Sequence, residues 1–318
     1  MESSTALAAR PEASASPRGR RRLRPFVVSW IGPALYVVAL GCVCAFRGLP
    51  TSRDALFLWI VLGLLAASLS DVRRWGRGML VDWLPFALVL FAYDVLRGYA
   101  DSFFSAHVWP QLRADELLFG GSVPTVWLQR RLWDGSAGLD WIDYAAWSVY
   151  LTHFFATLLI AAALWLRASH LFRRYVGAVC ALAVAGFATY ALFPAVPPWM
   201  ASRDGQLAPT ERIVSIVSSH TPIDFFGAVW ERGAHYANDV AAMPSLHAAY
   251  AMLIALFFWP LVGWRWRLPL AAYALAMGFA LVYTSEHYVS DVLAGWLYAA
   301  AALALVTLVA RHRERARA

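Results

Sequence analysis

Long apolar runs separated by short polar breaks dominate this chain. The runs fall at about 26–46, 55–70, 79–97, 144–166, 175–193, 244–262, 269–285 and 288–309. About 20 apolar residues carry an α-helix across a bilayer core. The pattern therefore predicts an all-α, polytopic membrane bundle of about eight transmembrane helices. The second run is short, and Asp94 interrupts the third. Two polar breaks are long, about 98–143 and 194–243. The first contains FFSAHVWPQL and PTVWLQRRLW, whose Trp-rich apolar faces suit helices lying in the membrane interface. Loops of this length often carry function. Residues 1–24, rich in Ala, Ser, Pro and Arg, read as a disordered cytoplasmic tail. They do not read as a signal peptide, because the polar leader is long and the run after it is long enough to span. No internal repeat is visible.

Composition agrees. Of the 318 residues, 60% are hydrophobic and 15% charged, against about 25% charged in an average soluble domain. The net charge of +7 points to the membrane and not to nucleic acid, because of where the charge lies. With the N-terminus inside, the inner segments are 1–25, 71–78, 167–174, 263–268 and 311–318. They hold 18 of the 27 basic residues, all of them Arg. That is the positive-inside bias, with both termini cytoplasmic. All-Arg usage and abundant Ala suggest a GC-rich bacterial genome, hence a bacterial cell membrane. Cys42, Cys44 and Cys180 lie in apolar runs with neither metal-ligand nor disulfide spacing.

Two polar stretches fall on the predicted outer surface. SEHYVSD (285–291) lies at the turn between the last two runs. His287 and Asp291 are four residues apart, so on a helix they share a face. The Asp can accept from one ring nitrogen and leave the other as an unprotonated base or nucleophile. A pair that merely caps a helix remains an open reading. MPSLH (243–247) opens the run at 244–262. Ser245 is an N-cap candidate, the helix start suits a phosphate, and His247 is placed to protonate a leaving group. An ordinary Pro-Ser helix start with an incidental His is the alternative. Two such sites on one face make coincidence the weaker explanation.

MPSLH followed by His-x-x-x-Asp resembles the type 2 phosphatidic acid phosphatase superfamily, over roughly residues 79–310. The resemblance implies a six-helix lipid phosphatase-like core, preceded here by two additional helices over 25–78, with a tail at 311–318. It implies metal-independent cleavage or transfer of phosphate esters and no cofactor. His287 would form a phosphohistidine, Asp291 orient it, His247 act as general acid and Ser245 contact phosphate. Three phosphate-binding cations of the family are missing. Where its first signature carries Lys and Arg this chain has LFPAVPPWM (192–200), and the Ser-Arg of its third is replaced by Ala280 and Leu281. The altered pattern is similar to the inositol phosphorylceramide synthase branch, through LFGGSVPTVWLQ (118–129), AMPSLHAAY (242–250) and EHYVSD (286–291). That branch moves a phosphoinositol headgroup between lipids. A phosphodiester carries one negative charge, which is a physical reason for fewer cations.

Further candidates for the substrate pocket are Arg97, His153, Gln129, Trp199 and Asn238. Asp94, Arg97 and Asp101 share one helical face, where they form either a structural ion pair or a replacement for the lost charge. His153 is expected inside the bundle, as a hydrogen-bonding partner or a substrate contact. Trp199 doubles as an interface anchor candidate. Glu286 either raises the basicity of His287 or faces water. The expected substrate is a phospholipid or isoprenoid phosphate, with a lipid alcohol or water as acceptor. Hydrolase and transferase both stand, and a non-catalytic transporter or scaffold is the rival from another class. A zinc site built from two His and an Asp is disfavoured by the Pro-Ser before His247.

Overall fold

The computed structural model describes residues 31–47, 53–67, 76–98, 104–136, 138–220 and 238–316. The predicted tail at 1–24, Asp101 and the side chains of Asp94 and Arg97 lie outside the described residues. Among the described residues there are twelve α-helices and no strands. They are α1 (Ile31–Arg47), α2 (Arg53–Ala67), α3 (Leu84–Arg97), α4 (Trp109–Leu118), α5 (Pro124–Leu132) and α6 (Trp141–Arg167), followed by α7 (Ser169–Leu192), α8 (Pro198–Arg203), α9 (Ile213–His220), α10 (Leu246–Phe258), α11 (Trp264–Tyr283) and α12 (Val289–Arg315). A π-helical turn, Met79–Trp83, leads into α3. Each predicted apolar run holds a helix, and the polytopic helical bundle stands. Among the described residues, five stretches are long and apolar enough to cross a bilayer: Gly76–Tyr93, Trp141–Arg167, Ser169–Leu192, Trp264–Tyr283 and Val289–Arg315.

Local chemistry sets the helix starts. Helices α4, α5 and α8 each open with Pro in the first turn, where a missing N–H has no intrahelical acceptor to lose. Helix α6 opens on a capping box between Asp140 and Asp143, whose Oδ2 accepts from the Asp140 N–H at 2.7 Å. The polar cap is invisible to apolar periodicity, so the predicted span began three residues late. The Trp-rich outer segment does form two short helices, α4 and α5, with Trp109, Leu117 and Trp127 exposed.

Helix α7 is the hub and packs against α3, α6, α10 and α12. Its Tyr175, Val179, Leu182 and Ala183 are fully buried. A second core lies between α6, α10 and α11, around Met277, Leu281 and Tyr283. Ile213, Val214 and Val217 of α9 close over it from the outer loop. Helices α1 and α2 pack on each other, with Tyr36 against Trp59.

Helix α10 has 13 residues, not the predicted 244–262. At 1.5 Å per residue it reaches about 20 Å, short of a ~30 Å hydrocarbon core. The chain arrives at it through irregular backbone, which membrane proteins tolerate where the polar groups are satisfied internally. Here Ala195 receives that backbone from both sides. Its N–H donates to Val240 O at 2.6 Å, and its carbonyl accepts from Ala242 N–H at 3.2 Å. His107 joins the same tie, donating to Pro194 O at 2.8 Å and accepting from Val196 N–H at 2.9 Å.

Candidate active site

The starts of α10 and α12 are pressed together. Ser245 caps α10, its Oγ accepting from Ala248 N–H at 3.3 Å. Its backbone N–H donates to Asp291 O at 3.0 Å. Gly295, nearly two turns into α12, lies so close to the Ser245 carbonyl that a Cβ there would collide with it. The absence of a side chain at 295 is thus what lets the two helix starts meet. The consequence is chemical: His247 from α10 and His287 from the residues preceding α12 face each other, ring centroids 5.7 Å apart.

Each histidine is held from behind. The His287 Nδ1 lies 3.6 Å from Asp291 Oδ2, both side chains buried. That distance is an electrostatic contact, longer than a hydrogen bond. The same Oδ2 accepts from the Tyr288 N–H at 3.0 Å, which fixes the carboxylate. His247 is packed by α6: Tyr150 stacks on its ring at 4.9 Å, and His153 lies at 3.9 Å between centroids. His153 is therefore buried beside the second histidine, as its position in the span required.

Outside the spans, Asp115 of α4 reaches across to the start of α12. Its two carboxylate oxygens accept from Val289 N–H at 3.0 Å and Ser290 N–H at 2.9 Å. Burial pushes this carboxyl above the usual range, while those donors pull it back down. The first turn of α12, and with it His287, is anchored to the α4 segment.

The other candidates divide. Gln129 does not project into the space between the histidines. Its amide donates to Glu211 O at 2.8 Å and Tyr283 O at 2.7 Å, and its oxygen accepts from Glu211 N–H at 2.8 Å. It clamps the outer loop onto the end of α11. Asn238 Oδ1 accepts from Val240 N–H at 2.9 Å, a local turn that feeds the tie at Ala195. The Ser245 hydroxyl is occupied as a cap. Trp199 is half-buried, and its backbone N–H donates to Ser285 O at 3.1 Å.

Over the Trp199 ring lies a residue that motif reading did not single out. The Arg212 guanidinium sits 4.3 Å from the ring centroid. It forks onto Glu286, Nε to Oε1 at 2.8 Å and Nη2 to Oε2 at 3.1 Å. A cation thus stands beside the residue that precedes His287. The partners are 74 positions apart in sequence, so no local spacing announces them, and nothing sets Arg212 apart from Arg203 and Arg232 in the same outer segment. Among the described residues, no three His, Cys, Asp or Glu side chains gather as they would around a metal ion.

This bundle, with paired histidines at two abutting helix starts, is the architecture of a PAP2 membrane protein. A family model described as the PAP2 superfamily matches residues 127–305, and the chain belongs to that superfamily. Phosphoinositol dihydroceramide synthase of Bacteroides thetaiotaomicron is 34% identical over 122 residues, covering 35% of this chain and 37% of that protein. The matched part is thus little more than a third of that relative's length. No solved structure matches the chain.

Proposed function

We propose that the protein is a metal-independent lipid phosphotransferase, moving a phospho-headgroup of the inositol-phosphate type between lipids through a phosphohistidine. The observation that carries this is the pair of facing histidines, 5.7 Å apart, with Asp291 behind His287. The kinship with a relative named as a phosphoinositol dihydroceramide synthase supports the same class of chemistry. The catalytic unit is residues 79–310, with α1 and α2 as additions. Both termini are cytoplasmic and the site opens at the outer leaflet, as the Arg distribution favours.

The reaction runs in two displacements. Asp291 stabilises the Nδ1–H tautomer of His287, which leaves Nε2 with its lone pair. Nε2 attacks phosphorus, a P–N bond forms, and the bond from phosphorus to the diacylglycerol oxygen breaks. His247 gives that oxygen its proton. An acceptor alcohol then enters. His247 takes its proton as the new P–O bond forms and the P–N bond breaks, restoring both histidines. The long Asp291–His287 contact is of a kind that tightens as positive charge develops on the ring.

The test follows the phosphorus. Purified protein in liposomes is given headgroup-labelled phosphatidylinositol with and without a lipid alcohol, beside a His287→Ala control and an EDTA control. Label arriving intact on the lipid alcohol, lost by about 10³-fold or more in the variant and unaffected by EDTA, is the expected result. Free labelled phosphate or inositol phosphate would make the enzyme a hydrolase. Equal turnover by His287→Ala would remove the histidine mechanism.

A further inference from the structure

Resting on the phosphoester reading above, we propose that Arg212 and Glu286 form a charge selector. Arg212 is the cation that receives the phosphoryl oxygens. Glu286 holds the local charge down so that a monoanionic phosphodiester is taken and a dianionic monoester is refused.

Position comes first. Glu286 adjoins His287 in the chain, and its carboxylate is 9% exposed. The Arg212 guanidinium is bonded to that carboxylate and is therefore beside the residue that precedes His287. It is also set in orientation. Trp199 lies under its plane at 4.3 Å, and Trp199 is pinned through its N–H to Ser285 O. Ser285 in turn has a left-handed backbone, φ 66°, and its hydroxyl meets Thr210 Oγ1 at 3.0 Å. The loop carrying Arg212 is thus tied to the strained turn that carries Glu286.

Chemistry comes second. A guanidinium fork matches a carboxylate and a phosphate equally well, two parallel N–H donors to two oxygens. The bidentate pair with Glu286 presents the hand that a phosphoryl group would take. The side chain of Arg212 keeps 26% of its surface exposed, so a second set of oxygens has access to it. Charge comes third. Arg212 and Glu286 cancel each other. With His247 protonated to act as acid and Asp291 ionised behind His287, these four groups sum to zero, and the neighbouring carboxyls of Asp115 and Asp239 add no positive charge. A diester adds one negative charge to that set and a monoester adds two, each beside a fixed carboxylate. The missing Lys and Arg of the family signatures remove what would offset the second.

The experiment compares esters on intact protein in liposomes: phosphatidylinositol as diester and phosphatidic acid as monoester, for wild type, Glu286→Gln and Arg212→Lys. In wild type the diester is preferred. Glu286→Gln keeps the shape and removes the charge, and raises the monoester-to-diester ratio of kcat/KM by about tenfold or more. Arg212→Lys keeps the charge and loses the fork, and raises KM for the diester by about tenfold with a smaller change in kcat. A ratio unchanged in a folded Glu286→Gln protein overturns the selector while wild-type transfer still upholds the enzyme. No turnover of either ester by wild type would instead sink the underlying reading. A second arm needs no variant: an alkylphosphonate and its monomethyl ester compete against wild type at mildly alkaline pH. Tighter inhibition by the monoanionic ester is expected, and equal or tighter inhibition by the dianion overturns the proposal.

Discussion

The two walls of the site are made differently. One wall is helix ends: Ser245 and His247 at the start of α10, His287 and Asp291 at the start of α12, locked by the close approach at Gly295. The other is mostly loop: Trp199 on the short helix α8, Arg212 and the segment leading to α9, hung on α11 by Gln129 and on α12's approach by Ser285. Helix ends fix direction to within a rotamer, which suits groups that must meet a reacting atom in line. A loop tied at several points fixes charge with less angular demand, and its residues can vary without disturbing the bundle. On the mechanism proposed above, the first wall attacks phosphorus and the second selects which phosphorus is taken.

That division is broken most sharply from the helix side. Asp291→Asn keeps the volume and removes the charge that, on the proposed mechanism, holds the His287 tautomer. Transfer is expected to fall by about 10²-fold or more with little change in KM. Measuring both constants on phosphatidylinositol checks this. A rise in KM alone would move Asp291 from orienting the nucleophile to binding substrate, and the contrast between the walls would weaken.

How much of this was readable beforehand follows the same line. The His–Asp spacing and the Pro-Ser-x-His start are local, so their residues fell out of the sequence, and so did the bundle, because apolar length is a one-dimensional property. His153 was placed inside the bundle from its depth in a span, though its neighbour His247 lies in another helix. Of the loop wall, Trp199 and Gln129 were named from motifs, but Arg212 and the ties that hold the wall were not readable. Gln129 sits in a motif but holds backbone groups of Glu211 and Tyr283, a role that depends on contacts 82 and 154 positions away. Arg97 was read either as part of a structural ion pair with Asp94 and Asp101 or as a replacement for the lost charge, and its side chain lies outside the described residues. Asp115, which no local pattern singles out, is fully buried and caps α12.

A smaller effect comes from cutting the loop's main tie. Gln129→Ala removes three hydrogen bonds at once and leaves the Tyr283 carbonyl, deep at the end of α11, without its side-chain donor. The loss is expected to be about 1–3 kcal/mol, read as a lower melting temperature in detergent. Because the tie holds the segment before Arg212, KM for a diester should rise while kcat moves less. A variant that loses kcat and keeps KM would show that Gln129 acts on the helix wall instead.

The smallest effect is expected at Asn238. Its side chain accepts a hydrogen bond from a residue two positions on, and the tie at Ala195 is made by backbone groups that the substitution leaves intact. Asn238→Ala should cost about 1 kcal/mol and leave the monoester-to-diester ratio where wild type has it. Asn238→Asp adds a negative charge on the loop that carries Asp239, itself within electrostatic reach of Arg212, at nearly unchanged volume. If the wall selects by charge, the aspartate variant disfavours the monoester further while the alanine variant does not. If both variants shift the ratio alike, the loop discriminates by shape, and the contrast between an oriented wall and a charged one has to be redrawn.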